Sequence, residues 1–254
     1  MRRFRHLTSQ HRTASTNRLL GGILAFNAGA VNAGGFLVVH MYTSHMTGFA
    51  SQLADNLVLG NMRLVLNAIG ALLAFTCGAA FTAIQVNWAR QHGLRSEYAL
   101  PLLVEALLLL LFGLMGATLN RQTPFAVPLT VLVLSFIMGL QNALVSKISS
   151  SQIRTTHMTG IVTDIGIELG KLFYWNRTAS PFESRVRANR IKLRLLGTLL
   201  AAFIGGGIVG AAGFKHVGFV WVIPLALLLL GLSLPPLYSD LVRTIRRKTA
   251  RQST

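Results

Sequence analysis

Six apolar stretches punctuate the chain, each about the ~20 residues that a helix needs to cross a ~30 Å hydrocarbon core. Hydropathy places them near 19–41, 64–88, 98–119, 126–146, 194–214 and 217–238, the run from Leu100 to Met115 being the plainest. In lipid every backbone polar group must be satisfied within the protein, which leaves helices or closed barrels as spanning structures. Stretches of this length predict an all-α, polytopic membrane protein with six transmembrane helices. Only 12% of residues are charged, about half the share in a soluble domain, so lipid covers much of the predicted surface. The first stretch follows a cluster of arginines as a signal peptide would, but five more spans come after it, and it reads as an uncleaved first helix.

A net charge of +17 would suggest nucleic acid as the partner of a soluble protein. The placement of the charge argues against that. With a cytoplasmic N-terminus, 21 of the 24 Lys and Arg fall on the inner side, in the tail, the 89–97 loop, the 147–194 region and the segment after Asp240; Arg63, Arg121 and Lys215 fall outside. This asymmetry predicts a bacterial inner-membrane protein with both termini cytoplasmic. The partners it implies are the lipid bilayer and a small molecule or ion, with no nucleic acid. The Arg-rich 177–194 loop is expected on the anionic leaflet. Cys77 is the single cysteine, lies in an apolar run and reads as a small packing residue.

Thr43-Ser44-His45-Met46-Thr47-Gly48 recurs as Thr155-Thr156-His157-Met158-Thr159-Gly160. Apolar composition alone does not recreate a His-Met-Thr-Gly string, so the recurrence marks an internal repeat. Upstream, Val31-Asn32-Ala33 corresponds to Gln141-Asn142-Ala143. Downstream, Gly70 to Ala74 matches Gly197 to Ala201, and Gly78 falls on Gly205. Three crossings per unit is an odd number, so the second unit enters from the opposite side. Residues 19–119 and 120–238 are therefore expected to form two inverted three-helix repeats, with short broken or re-entrant segments after helices 1 and 4 and basic tails over 1–18 and 239–254.

Nearly the whole chain, and above all these hexapeptides with the Gly139-Leu140-Gln141-Asn142-Ala143 approach, resembles the YoaK-like family of bacterial membrane proteins, a domain of unknown function. The resemblance implies a six-helix inner-membrane protein and brings no substrate or reaction. Phe49 stands where similar proteins often carry Asn.

Function must be argued from the site. The hexapeptides place imidazole, hydroxyls and a glycine where a long apolar helix ends, so Thr43, His45, Met46, Thr47, Gly48, Thr156, His157, Met158, Thr159 and Gly160 are candidate substrate-binding residues, with Asn32, Gln141 and Asn142 on the preceding helices. Thr47 or Gly48, and Thr159 or Gly160, are expected to open short helices over 49–60 and 161–173. If these dip inward, their N-termini face each other near the midplane and suit an anion or carboxylate. The plainer alternative is a pair of structural turns, since small and hydroxylated residues are ordinary glue between membrane helices.

Glu105 lies inside the third span, where an ionisable side chain is costly and marks a cavity or a partner. It leads the candidates for proton coupling, followed by Asp164, Glu168 and Asp55; for Glu168 an ion pair with Lys171 or Lys147 is the structural alternative. Two histidines without cysteines or a clear carboxylate fall short of a zinc site, so no metal and no cofactor are expected. The leading expectation is a secondary transporter or channel-like permease for a small polar or anionic solute, not an enzyme. The rivals are a membrane enzyme using the motif histidines and a non-catalytic partner or sensor. Gly205, Gly206 and Gly207 permit close helix packing within a chain or in a homo-oligomer.

Overall fold

The computed structural model describes residues 14–118, 126–149, 155–175 and 185–252, and the described residues are all-helical. The helices are α1 (Ala14–Val39), α2 (Met46–Leu59), α3 (Met62–Gln91), α4 (Ala99–Thr118), α5 (Ala126–Ile148), α6 (Met158–Phe173), α7 (Arg190–His216) and α8 (Val222–Gln252), with a 3-10 turn at Gly218–Trp221 before the last. Six are long and apolar enough to cross a membrane: α1, α3, α4, α5, α7 and α8 with its preceding turn. Each overlaps one of the six predicted stretches, and the chain is a multi-pass membrane protein.

The helices reach into both expected basic tails: the first begins at Ala14, and the last continues to Gln252 through a run of straight-chain basic residues, which are good helix formers. Pro235 and Pro236 lie within α8. The boundary expected at residues 119 and 120 lies outside the described residues, as do most of the two tails' remaining positions.

Helices α1 and α5 are the most buried, while α3 and α7 are largely exposed. Glycines decide the packing. A Cβ on Gly29 or Gly206 of the α1–α7 pair would collide with the carbonyl of Phe203 or Phe26; on Gly139 or Gly78 of the α5–α3 pair it would collide with that of Phe75 or Phe136. Backbones in such close contact leave no room for side chains. Phe26 approaches Gly206 and Ala30 approaches Gly210, so α1 and α7 run parallel; Phe136 approaches Gly78, and Leu140 accepts a 3.0 Å bond from Thr82 Oγ1, so α5 and α3 do too. By contrast α1 and α5 cross antiparallel, with Gly35 beside Leu134 and Gln141 beside Leu24. In α4 and α8, Gly113 meets Val222 and Ser96 meets Asp240, again antiparallel.

These contacts correct the expected alignment by one residue. Gly78 corresponds to Gly206, since each faces a Phe carbonyl on the partner helix, whereas nothing would meet a Cβ on Gly205. Cys77, one position before Gly78, is exposed on α3; facing away from the α5 contact, it packs against no core.

Where α3 meets α4, Arg90 pairs with Glu97 and donates to the Tyr98 hydroxyl at 2.9 Å. Asp240 of α8 accepts from the backbone N–H and hydroxyl of Ser96 at 2.9 and 2.5 Å. Buried carboxylates there have their partners, which ties the last helix to the start of α4.

Candidate functional site

Each hexapeptide follows the end of a buried helix and is braced by that helix. Asn32 accepts from the hydroxyl of Ser44 at 2.9 Å and from its backbone N–H at 3.3 Å; Asn142 donates to the hydroxyl of Thr156. Thr43 and Thr155 are fully buried at matching positions, and neither hydroxyl has a hydrogen-bond partner among the described residues.

The short helices begin one or two residues before the expected caps. His45 and His157 are the N-caps, without side-chain capping bonds, so Met46, Thr47 and Gly48, like Met158, Thr159 and Gly160, form the first turn. Each imidazole lies over the glycine three residues on, where a Cβ at Gly48 or Gly160 would collide with Nδ1 of His45 or His157. This fold-back accounts for the His-Met-Thr-Gly spacing, and both rings remain exposed.

The motifs do not meet. Helix α2 packs on α3 and α6 packs on α7, with no contact between α2 and α6. Val39 and Phe49, flanking the first motif, share a buried cluster with Ala68, Ala71 and Val131 near the start of α5. The second motif follows Ile148 at its other end, about 25 Å away at 1.5 Å per residue. The expected shared site of His45 and His157, and the pair of facing dipole ends that suited an anion, is therefore not formed, because antiparallel α1 and α5 deliver their C-termini to opposite ends of the bundle. The short helices do run back along their neighbours: Asp164 pairs with Lys192 at 3.2 Å and Glu168 accepts from the backbone N–H of Asn189 at 2.7 Å. Helix α6 is thus antiparallel to α7, its N-terminus lying about 10 Å beyond the start of that helix.

The carboxylates divide. Glu168 is buried with both oxygens engaged, the second by Lys171 at 2.9 Å. The Asn189 N–H and the Lys171 ammonium hold its carboxyl below the usual carboxylate range. Asp164 is half-exposed in its ion pair, and Asp55 is exposed. Glu105 differs from all of them: it is fully buried, and Asn27 Nδ2 donates to its Oε1 at 3.3 Å. Gln141, also fully buried, donates to the carbonyl of Leu24 at 3.0 Å, one turn of α1 before Asn27. The remaining oxygens, Asn27 Oδ1, Glu105 Oε2 and Gln141 Oε1, have no hydrogen-bond partner among the described residues. Three helices thus bring one carboxyl and two amides within about a turn of each other along α1.

Sequence reasoning missed Asn27. Its counterpart at the α1–α5 alignment is Ile137, so a search guided by duplication passes over it; the available signal was an amide inside an apolar span. It missed His40 too. That residue ends α1 with φ 56, a left-handed conformation uncommon for non-glycine residues. With Phe36, Met41, Tyr42, His45, Gly48, Phe49 and Gln52, it lines a cleft of about 220 Å³ at the first motif. Tyr42 stacks on Phe36 there with ring centroids 4.6 Å apart.

Comparison with known proteins agrees with this architecture. A family described as "Protein of unknown function (DUF1275)" matches residues 20–234. The chain is similar to the UPF0700 transmembrane protein YoaK of Bacillus subtilis (strain 168), 28% identical over 193 residues that cover 74% of this chain and 84% of that protein. No solved structure matches.

Proposed function

We propose a transport function on this premise: the chain belongs to the DUF1275 family of membrane proteins of unknown function. The protein is a secondary transporter for a small polar solute or ion, with its central site between two inverted three-helix repeats and Glu105 carrying a coupling proton. The observation that carries the reading is the buried Asn27–Glu105–Gln141 group. An intramembrane carboxyl with no cation partner is expensive and is kept where something charged must pass. This one lies where α1 and α4 of the first half meet α5 of the second.

The matched contacts support the inverted relation. The first helix of each half packs parallel against the glycine-rich helix of the other, at Gly29 and Phe203 and again at Gly139 and Phe75. Such halves pivot on one another around a fixed site in many transporters. The braced hexapeptides then act as turns at the two mouths, the first opening into the cleft beside His40 and His45. The hydroxyls next to the imidazoles, Ser44 and Thr156, are bonded to Asn32 and Asn142 rather than to a histidine, which speaks against the enzyme reading. The charge placement supports an inner-membrane location with both termini in the cytoplasm.

Solute flux tests this directly. Purified protein in liposomes is expected to exchange at least one member of a broad panel of metabolites and ions faster than protein-free liposomes. No flux for any member would leave the chain as a non-catalytic membrane partner.

A further inference from the structure

The atoms that the buried group leaves free determine what it can hold. Both amides spend a donor on the protein, Asn27 Nδ2 on Glu105 Oε1 and Gln141 Nε2 on the Leu24 carbonyl. Among the described residues three oxygens remain without a partner, a carboxyl Oε2 and two amide carbonyls, and each amide keeps a second N–H. All three side chains are fully buried. The other buried carboxylates among the described residues have partners: Glu97 has Arg90, Glu168 has Lys171, and Asp240 has Ser96. Glu105 forms no ion pair among the described residues. A buried carboxylate without a counter-charge is strongly disfavoured, and a carboxylate with two amide oxygens beside it suits a hard cation.

We propose that Asn27, Glu105 and Gln141 form a monovalent-cation site in which a small alkali-metal ion exchanges with the proton on Glu105. The inference rests on the transport reading for its purpose, but binding can be measured without transport. The exchange balances: the ion enters as the Glu105 proton leaves to water, and the site's net charge is unchanged. The two amides act as positioning residues and ligands. Their oxygens supply part of the ion's shell, and the bonds from Asn27 to Glu105 and from Gln141 to the Leu24 carbonyl hold the two amides in place.

The test uses the full chain in detergent at mildly alkaline pH, with LiCl, NaCl, KCl and choline chloride at equal ionic strength as probes. Saturable binding of radioactive sodium is expected, accompanied by release of about one proton per ion to a weakly buffered dye solution, since one carboxyl titrates. Glu105→Gln should abolish both signals. Gln141→Leu, which removes an oxygen but no charge, should weaken binding roughly tenfold or more; Asp164→Asn should change neither signal. Each variant is checked for a monodisperse elution peak, so that lost binding is not lost folding. No saturable binding of any alkali ion by the wild-type protein overturns the proposal, as does binding that survives Glu105→Gln. Should flux be found without alkali-ion binding, the transport reading stands and this inference fails; binding without flux gives the reverse.

Discussion

Asn27 is the residue on which the buried site turns, since it alone gives Glu105 a hydrogen bond among the described residues. Asn27→Leu should lower stability by about 1–3 kcal/mol, the cost of leaving a buried polar group unpaired, read as a lower thermal midpoint in detergent. An unchanged midpoint would mean that the pair contributes nothing. Glu168 makes a different prediction. Its carboxyl is held below the usual range by Asn189 and Lys171, so its stabilising contribution is complete above the ordinary carboxylate value and is lost as pH falls through the lowered one. Thermal midpoints measured down an acid series should therefore drop more steeply for the wild-type protein than for Glu168→Gln; parallel curves would contradict this role. Glu105 was legible because a charge in an apolar run has few explanations. Asn27 was not, because its donor role depends on which helix lies opposite. The caps misled for a related reason: Thr and Gly are sound capping choices, but Asn32 and Asn142 pin the residue before each histidine and start the helix there.

Among the elements, the α1–α7 and α5–α3 pairs set the architecture, and their register is carried by single glycines. Gly206→Ala should destabilise by about 1–3 kcal/mol through overpacking against the Phe26 carbonyl, and Gly78→Ala likewise against Phe136. Gly205→Ala should be neutral or slightly stabilising, as nothing would meet its Cβ and Ala is the better helix former. Unfolding of the three variants in one detergent separates the registers; equal effects at Gly205 and Gly206 would contradict the packing. Spans and short helices were readable from hydropathy and from the hexapeptides. The one-residue register was not, because Gly205, Gly206 and Gly207 are equivalent until a partner backbone selects one of them.

At the scale of the whole molecule, the charge asymmetry and the alternating helix directions support the proposed opposite orientation of the two halves. In a Cys77→Ala background, a cysteine at position 121 should react with an impermeant thiol reagent from the periplasm, and one at position 185 only from the cytoplasm; labelling from the same side would contradict the topology. The partition of roles was harder to read from the sequence. Repetition drew attention to the hexapeptides, yet they end at opposite ends of the bundle, and the buried polar group is formed by residues without a repeat. Transport coupled through that group is the central claim. Its most direct test compares counterflow exchange with uptake driven by a pH gradient, in liposomes carrying wild-type or Glu105→Gln protein. An amide keeps hydrogen-bonding capacity but cannot titrate, so counterflow should persist while gradient-driven accumulation is abolished. Gradient-driven uptake equal to that of the wild type would contradict the claim and return Glu105 to a structural role.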